Sequence, residues 1–195
     1  MKHDTEKRRL FFAILLPDDI KHAIGEVVSR LNQSAPRNTI RWCREDQWHF
    51  TLKFLGELTP HQSVKATEGA EKTARIAAPF SLKLNGVGAF PNPQRPTVMW
   101  LGVSEGSQQM SDLANQLDAE LQAMGFPKDN RAFKPHLTLA RIKSYEQEKE
   151  SAKLLQNPTI AEFDSVVISS FALMRSYLLP DGAKYEVTEV FNLKG

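Results

Sequence analysis

Two histidines in this sequence share one local pattern, because each is followed two residues later by a threonine. The two copies are WHFTLKFLGE at 48–57, with His49 and Thr51, and FKPHLTLARIK at 133–143, with His136 and Thr138. Both copies are framed by apolar residues with the period of two that is typical of a β-strand. Since alternate strand residues share a face, each histidine is expected beside its threonine, on the face turned away from the core.

A pair of histidines suits the cleavage of a phosphodiester by acid–base catalysis. One group removes a proton from the nucleophile, and the other protonates the leaving oxygen. Histidine performs both tasks near neutral pH, because its unperturbed pKa is about 6.5. The Thr51 and Thr138 hydroxyls would donate hydrogen bonds to the phosphate oxygens on which charge develops. From these residues alone, either histidine suits either role.

Other kinds of chemistry fit the sequence less well. Catalytic zinc usually takes three protein ligands, and neither motif strand offers a third ligand on the reactive face. The chain lacks the glycine-rich loop of P-loop proteins, so ATP is not indicated. Cys43 has no base near it in its strand and reads as a packing residue rather than a nucleophile. We therefore expect catalysis without a metal, a cofactor or a covalent intermediate.

Length and composition limit the class of protein to which these motifs can belong. The chain has 195 residues, a formal net charge of +2 and a single cysteine. This length suits one domain, and so small a net charge limits any affinity for phosphate to local clusters. One cysteine excludes an internal disulfide, and no apolar run approaches the roughly 20 residues of a membrane span. We expect a monomeric, cytoplasmic protein that makes no contact with membranes.

Hydrophobic periodicity divides the chain into two similar halves, each with one His-x-Thr strand. The predicted helices are 18–33, 60–77, 106–124 and 145–155, and the predicted strands are 10–17, 39–43, 48–56, 81–90, 97–103, 133–143, 163–176 with a break near Ser169, and 185–193. This order favours an α+β fold. We expect one domain over 1–195, with two pseudo-symmetric lobes of antiparallel sheet, helices on the outside and a groove between the lobes. Residues 1–8 are expected to be disordered.

Simple alternation also assigns a face to the neighbours of each motif. In the first strand it places Trp48, Phe50, Leu52 and Phe54 on the core face, and Lys53 beside His49. In the second strand it places Arg141 on the face opposite His136, so that this arginine reaches a phosphate only if the strand end bends. Lys53 and Arg141 are both candidates for substrate binding, although a solvated lysine is the simpler interpretation of Lys53.

The two motif strands resemble the paired signatures of the 2H phosphoesterase superfamily. They are most similar to those of its bacterial and archaeal RNA 2′,3′-cyclic phosphodiesterases, long called 2′-5′ RNA ligases. The resemblance covers nearly the whole chain through RLFFAILLP, IRW, GVGAFPNPQRPTVMWLGV and FALMRSYLLPDGAKYEV. It implies hydrolysis of an RNA-terminal 2′,3′-cyclic phosphate to a 2′-phosphate, with a weak ATP-independent reverse reaction that forms 2′-5′ linkages.

The resemblance also implies roles for single residues. His49 matches the proton donor to the departing 3′ oxygen, and His136 matches the base that activates water. Phe11 matches an aromatic residue that lies against the nucleobase, although a core role suits it equally. Two alternatives stay open: a phosphodiesterase for small cyclic nucleotides or 2′-5′ oligoadenylates, and a non-catalytic module that binds RNA ends or nucleotides.

Overall fold

The computed structural model describes residues 6–35, 40–142, 151–155, 163–180 and 182–195. Its α-helices are α1 (Asp18–Gln33), α2 (Pro60–Ile76) and α3 (Ser107–Ala123). Its strands are β1 (Arg8–Leu15), β2 (Ile40–Trp42), β3 (His49–Leu58), β4 (Phe80–Phe90), β5 (Val98–Glu105), β6 (Leu137–Ile142), β7 (Val166–Ile168), β8 (Ser170–Leu179) and β9 (Gly182–Asn192). Short 3-10 turns cover Glu45–Gln47 and Lys153–Leu155.

The strands form two antiparallel sheets, and each sheet contains one His-x-Thr segment. The first sheet has the order β3, β1, β8, β9, and the second has the order β2, β6, β5, β4, β7. All of the strand pairs are antiparallel. The two sheets approach each other at β3 and β6, where Cα atoms come within 8 Å. The predicted α+β fold with two lobes of antiparallel sheet is confirmed.

One hydrophobic core runs through both lobes. Helix α1 contributes the stripe Ile20, Ile24, Val27 and Leu31, which recurs with the spacing of an amphipathic helix. Helix α2 instead buries small residues, and its Gly69 faces Leu121 of α3. Thr59 caps α2 by accepting a hydrogen bond from the Gln62 amide at 3.3 Å. Because the helices and both sheets share this core, the two motif strands are held in a fixed relation.

The bounds of the elements agree closely with the periodicity, with a few differences. The predicted break near Ser169 is confirmed, because β7 ends at Ile168 and β8 begins at Ser170. Strand β6 begins at Leu137, so His136 lies immediately before it. Arg8 is already the first residue of β1, so the disorder expected for 1–8 does not extend to it, while 1–5 lie outside the described residues.

The helix predicted over 145–155 lies mostly outside the described residues as well. Its last three positions form the 3-10 turn Lys153–Leu155. In the part of the chain that the structure describes, none of the helices is long and apolar enough to cross a membrane.

Candidate active site

His49 is the first residue of β3, and its imidazole is packed on two sides by aromatic rings. Its ring centroid lies 5.0 Å from that of Phe11 and 5.1 Å from that of Tyr185, which meets it edge-on. Its Nε2 is 3.0 Å from the Thr51 hydroxyl oxygen. Burial lowers the pKa of His49 from 6.5 to about 4, and a backbone hydrogen bond to Gln47 opposes part of this shift. His49 is therefore neutral at neutral pH in the free protein.

His136 is held in a closely similar way. Its Nδ1 lies 2.6 Å from the backbone carbonyl oxygen of Lys134, and the ring of Phe90 packs edge-on with centroids 4.9 Å apart. Each histidine thus has a backbone hydrogen bond to the residue two positions before it. When Nδ1 donates its proton to a carbonyl, Nε2 of the neutral ring is left to accept a proton.

A β-bulge interrupts β3 directly after the motif threonine. The ladder between β1 and β3 pairs Thr51 with Ala13 and Lys53 with Phe12, so Leu52 has no partner. An extra residue of this kind reverses the alternation of side chains beyond it. Leu52 and Lys53 are accordingly both buried although they are adjacent in sequence.

The bulge overturns the predicted face of Phe54. Alternation placed this residue in the core, yet its side chain is 67% exposed. Its ring lies 5.8 Å from that of Phe11 and lines the same cavity as His49. An exposed aromatic ring at this position is suited to stacking on a nucleobase.

The same bulge overturns the predicted position of Lys53 beside His49. Its side chain is 3% exposed and points toward α3. The ammonium donates to the carboxylate of Asp118 and to the backbone oxygen of Pro127, at 3.0 Å for the latter. It also forms an ion pair with Asp129 at 3.3 Å. The predicted face of Lys53 is therefore wrong, and protein groups already engage its charge at the wall of the cavity. Its role in substrate binding stays a prediction.

A second bulge follows the other motif threonine. The ladder between β5 and β6 pairs Thr138 with Trp100 and Ala140 with Met99, which leaves Leu139 without a partner. Leu139 and Ala140 are both fully buried. In both His-x-Thr segments the β-bulge therefore lies at the residue directly after the threonine.

This second bulge returns Arg141 to the face of His136. Alternation had placed Arg141 on the opposite face, and that prediction is wrong because the strand is not regular. Arg141 is exposed, pairs in register with Arg41 of β2, and lines the cavity together with it. Two guanidinium groups thus border the site at the edge of the second sheet.

The motif residues meet in one cavity of about 1280 Å³ between the two sheets. Six of the seven residues predicted for the site line it, and these are His49, Thr51, Lys53, His136, Thr138 and Arg141. Phe11 is 2% exposed and lies behind His49. Its ring offers almost no surface to a nucleobase, and its contact with His49 favours the core role that the sequence equally allowed.

Several residues of the site were missed by sequence reasoning. Tyr185, Phe90 and Arg41 line the cavity, and burial raises the pKa of Tyr185, so its hydroxyl stays protonated at neutral pH. The only sequence feature that could have identified these three residues is that each lies in a segment that resembles the family. Cys43 also lines the cavity, and burial raises the pKa of its thiol, which suits a packing role.

Metal ligands are not grouped in the part of the chain that the structure describes. No three His, Cys, Asp or Glu side chains among those residues are placed to hold one ion. The side chains that line the cavity can transfer protons through imidazole and bind anions through hydroxyl and guanidinium groups.

Comparison with known proteins places this geometry in context. A family model described as LigT-like phosphoesterase matches the chain twice, over 14–100 and 101–185. Each match contains one His-x-Thr segment, in agreement with the two halves of the sequence.

Individual relatives extend over almost the whole chain. The RNA 2′,3′-cyclic phosphodiesterase of Aquifex aeolicus is 35% identical over 176 residues, which are 89% of this chain and 93% of that protein. The enzyme of the same name from Methanothermobacter thermautotrophicus is 33% identical over 96% of this chain and 100% of its own. The crystal structure of E. coli LigT complexed with 3′-AMP is 27% identical, covers 97% of this chain and 100% of its own, and has a TM-score of 0.75.

Proposed function

Because this chain belongs to the family of LigT-like phosphoesterases, we propose that it hydrolyses an RNA-terminal 2′,3′-cyclic phosphate to a 2′-phosphate. The observation that carries the proposal is the cavity in which both His-x-Thr segments face each other. The names of the curated relatives support the same reaction. A weak, ATP-independent reverse reaction that forms 2′-5′ linkages belongs to the proposal as well.

The proposed reaction is a single displacement at phosphorus. His136 accepts a proton from a water molecule whose oxygen forms the new bond to phosphorus. The bond between phosphorus and the 3′ oxygen breaks, and His49 delivers a proton to that oxygen. The products are a 2′-phosphate and a free 3′ hydroxyl. The two histidines then exchange a proton through solvent and return to their starting states.

The non-bridging phosphate oxygens would be bound by neutral and charged donors. The hydroxyls of Thr51 and Thr138 and the guanidinium of Arg141 all line the cavity. Hydrogen bonds that strengthen as charge develops on these oxygens lower the barrier more than they tighten substrate binding. Arg141 adds a charge-assisted contact, and such contacts are stronger than those from neutral donors.

The low pKa of His49 places a condition on its role as the proton donor. In the free protein the ring is neutral at neutral pH, since its pKa is about 4. A bound phosphodiester brings a negative charge beside the ring, and a nearby opposite charge favours the protonated form. Substrate binding would therefore charge His49 as the proton donor requires.

Two alternative functions differ in substrate or in turnover. The 3′-AMP in the E. coli LigT structure is compatible with a phosphodiesterase for small cyclic nucleotides or 2′-5′ oligoadenylates. Turnover compared across RNA, mononucleotide and 2′-5′ oligomer ends separates these substrates. A non-catalytic module for RNA ends would bind them and convert none.

Product analysis tests the proposal directly. A synthetic RNA that ends in a 2′,3′-cyclic phosphate is incubated with the protein, and the product is identified by phosphorus NMR. We expect a terminal 2′-phosphate. A 3′-phosphate would mean that His49 and His136 have exchanged roles, and an unchanged substrate would refute the enzymatic function.

Metal independence, location and oligomeric state remain parts of the proposal. We expect full turnover in EDTA, because two histidines and two hydroxyls supply every group that the displacement needs; a strict requirement for a divalent ion would contradict this. The single cysteine suits a reducing cytoplasm. All of the groups assigned to the reaction come from one chain, so a monomer is sufficient.

A further inference from the structure

A basic segment forms one wall of the cavity. It comprises residues 126–136, which connect α3 to β6 without helix or strand. Lys128, Arg131 and Lys134 of this segment line the cavity, and Asp129 is its single acidic residue. The segment ends at His136, so its positive charges lie along the approach to the catalytic centre.

The positive charges of the basic segment are exposed to solvent at the wall of the cavity. Lys128, Arg131 and Lys134 are all exposed. Within the part of the chain that the structure describes, their charged groups have no ion-pair or hydrogen-bond partner. The carboxylate of Asp129 is 3.3 Å from the ammonium of Lys53. Lys53 thus neutralises the single acid of the segment, while the three basic side chains remain exposed to a ligand in the cavity.

The backbone of the basic segment is fixed near its start. The Phe126 amide donates to the Leu121 carbonyl at 3.0 Å, and the ring of Phe126 is buried. The Pro127 carbonyl accepts from Lys53 at 3.0 Å, and the Asp129 amide donates to the Asp118 carboxylate at 3.2 Å. A surface held in place before binding loses less conformational entropy when its ligand arrives.

The cavity beside the basic segment is larger than one nucleotide requires. The cavity volume of about 1280 Å³ lies above the range of about 300–1,000 Å³ that is typical of pockets for one small ligand. Proteins that bind single-stranded nucleic acid commonly combine such a positive track with aromatic rings, and Phe133 and Phe54 line the same cavity.

We propose that the basic segment binds the backbone phosphates of the RNA nucleotides that precede the cyclic-phosphate end. This inference rests on the proposed function, because it assigns the terminal nucleotide to the two histidines and the preceding nucleotides to Lys128, Arg131 and Lys134. Each phosphate contact releases counterions, so the segment makes RNA binding depend on salt. It also makes a longer RNA a better substrate than a mononucleotide.

A double variant, Lys128→Ser with Arg131→Ser, tests the inference. Lys134 is kept, because its carbonyl contacts His136. The matched control is Lys65→Ser with Lys72→Ser, which removes the same charge from the exposed face of α2. For each protein, kcat/KM is measured with a nucleoside 2′,3′-cyclic phosphate and with an RNA of about eight nucleotides that ends in a cyclic phosphate.

The expected result is a loss selective for RNA. We expect the segment variant to lose at least about tenfold more kcat/KM with RNA than with the mononucleotide, while the control resembles the wild type with both. Equal losses with both substrates would overturn the inference, because the segment would then serve only the terminal nucleotide. No loss with RNA would overturn it as well.

A binding measurement separates this inference from the proposed reaction. Fluorescence anisotropy reports the Kd of an RNA that ends in a 2′-phosphate and is not turned over. The slope of log Kd against log salt should fall by about 1.4 in the segment variant, at about 0.7 for each lost phosphate contact to a single strand. If no cyclic phosphate is converted, the proposed function fails while this measurement still decides the inference. An unchanged slope and affinity would refute RNA binding by the segment even if turnover is normal.

Discussion

Lys53 and Asp129 form an ion pair, 3.3 Å between Nζ and Oδ2, that joins the first motif strand to the segment leading into the second. Lys53 lies four residues after His49, and Asp129 lies seven residues before His136. The carboxylate of Asp118 in α3 accepts from the same ammonium and from the Asp129 amide. One buried cation therefore joins the strand that begins at His49 to the segment that ends at His136.

Replacement of Lys53 should destabilise the fold strongly. Lys53→Met leaves the largely buried carboxylate of Asp118, which is 15% exposed, without its ammonium partner. Breaking a buried pair in this way costs about 3–5 kcal/mol, because an uncompensated charge remains. Urea unfolding measures the free energy of unfolding, with the exposed lysine variant Lys65→Met as the control.

A second substitution shows whether the unpaired charge is the cause. In the double variant Lys53→Met with Asp118→Leu, no buried charge is left over, so much of the stability should return. A single Lys53→Met variant within about 0.5 kcal/mol of the wild type would contradict the importance of the cluster.

The elements of this fold were largely predictable, because each is specified by local signals. The apolar stripe of α1 and the Thr59 cap of α2 mark helices that the structure bounds within one residue of the prediction. The break before Ser170 and the two His-x-Thr strands were likewise legible in the sequence. The pairing of the histidines in one cavity followed from the similarity of the two halves.

The fine geometry of the site was not predictable, because it depends on partners distant in sequence. The bulge at Leu52 is defined by the register of β1 against β3, and that at Leu139 by the register of β5 against β6. A prediction based on strict alternation cannot include an extra residue in a strand. It therefore assigned Lys53, Phe54 and Arg141 to the wrong faces of their strands. The partners of Lys53 lie 65 or more residues further along the chain.

Removal of either catalytic histidine should abolish most of the activity. We expect His49→Ala and His136→Ala each to lower kcat with the cyclic phosphate by about 10²–10⁴-fold, the usual contribution of general acid–base catalysis. The control is His61→Ala, an exposed histidine on α2. Circular dichroism and urea unfolding verify that each variant is folded. Full activity in a folded His136→Ala protein would contradict the mechanism.

The threonine hydroxyls should act mainly on the transition state. Thr51→Val and Thr138→Val keep the shape of the side chain and remove the donor, so kcat should fall by about 10²-fold with little change in KM. Thr51→Ser and Thr138→Ser retain the hydroxyl and should retain most of the activity. A rise in KM at unchanged kcat would indicate that the hydroxyls bind the substrate and the transition state equally.

Arg141 should contribute through its charge and its planar geometry. It lies on the face of His136 because of the bulge at Leu139. Arg141→Ala should reduce kcat/KM by about 10²-fold, and Arg141→Lys should recover only part of it, since an ammonium does not reproduce a two-pronged contact with phosphate. Arg75→Ala on the exposed side of α2 is the control. Equal activity of the alanine and lysine variants would exclude a role for the charge.

The shifted pKa of His49 makes the stability of the fold depend on pH. The pKa is about 4 in the folded protein against a usual value of 6.5, so between these values the unfolded chain binds a proton that the folded chain does not. The contribution of His49 to the free energy of unfolding is therefore fully present above pH 6.5. It falls as the pH drops toward 4, by up to about 3 kcal/mol. His49→Gln should lose this part of the pH dependence, and the difference between the two proteins in urea unfolding isolates it.

Substrate binding should move the His49 titration upward, and NMR can follow this movement. In the free protein we expect the ring signals of His49 to titrate near pH 4, because burial disfavours the cation. A saturating nucleoside 2′-phosphate places negative charge beside the ring and should raise its pKa. The His61 signals serve as the internal control, since that ring is exposed at the start of α2. If His49 stays neutral in the complex, it is suited to accept the proton of water, and the roles of the two histidines in the displacement are reversed.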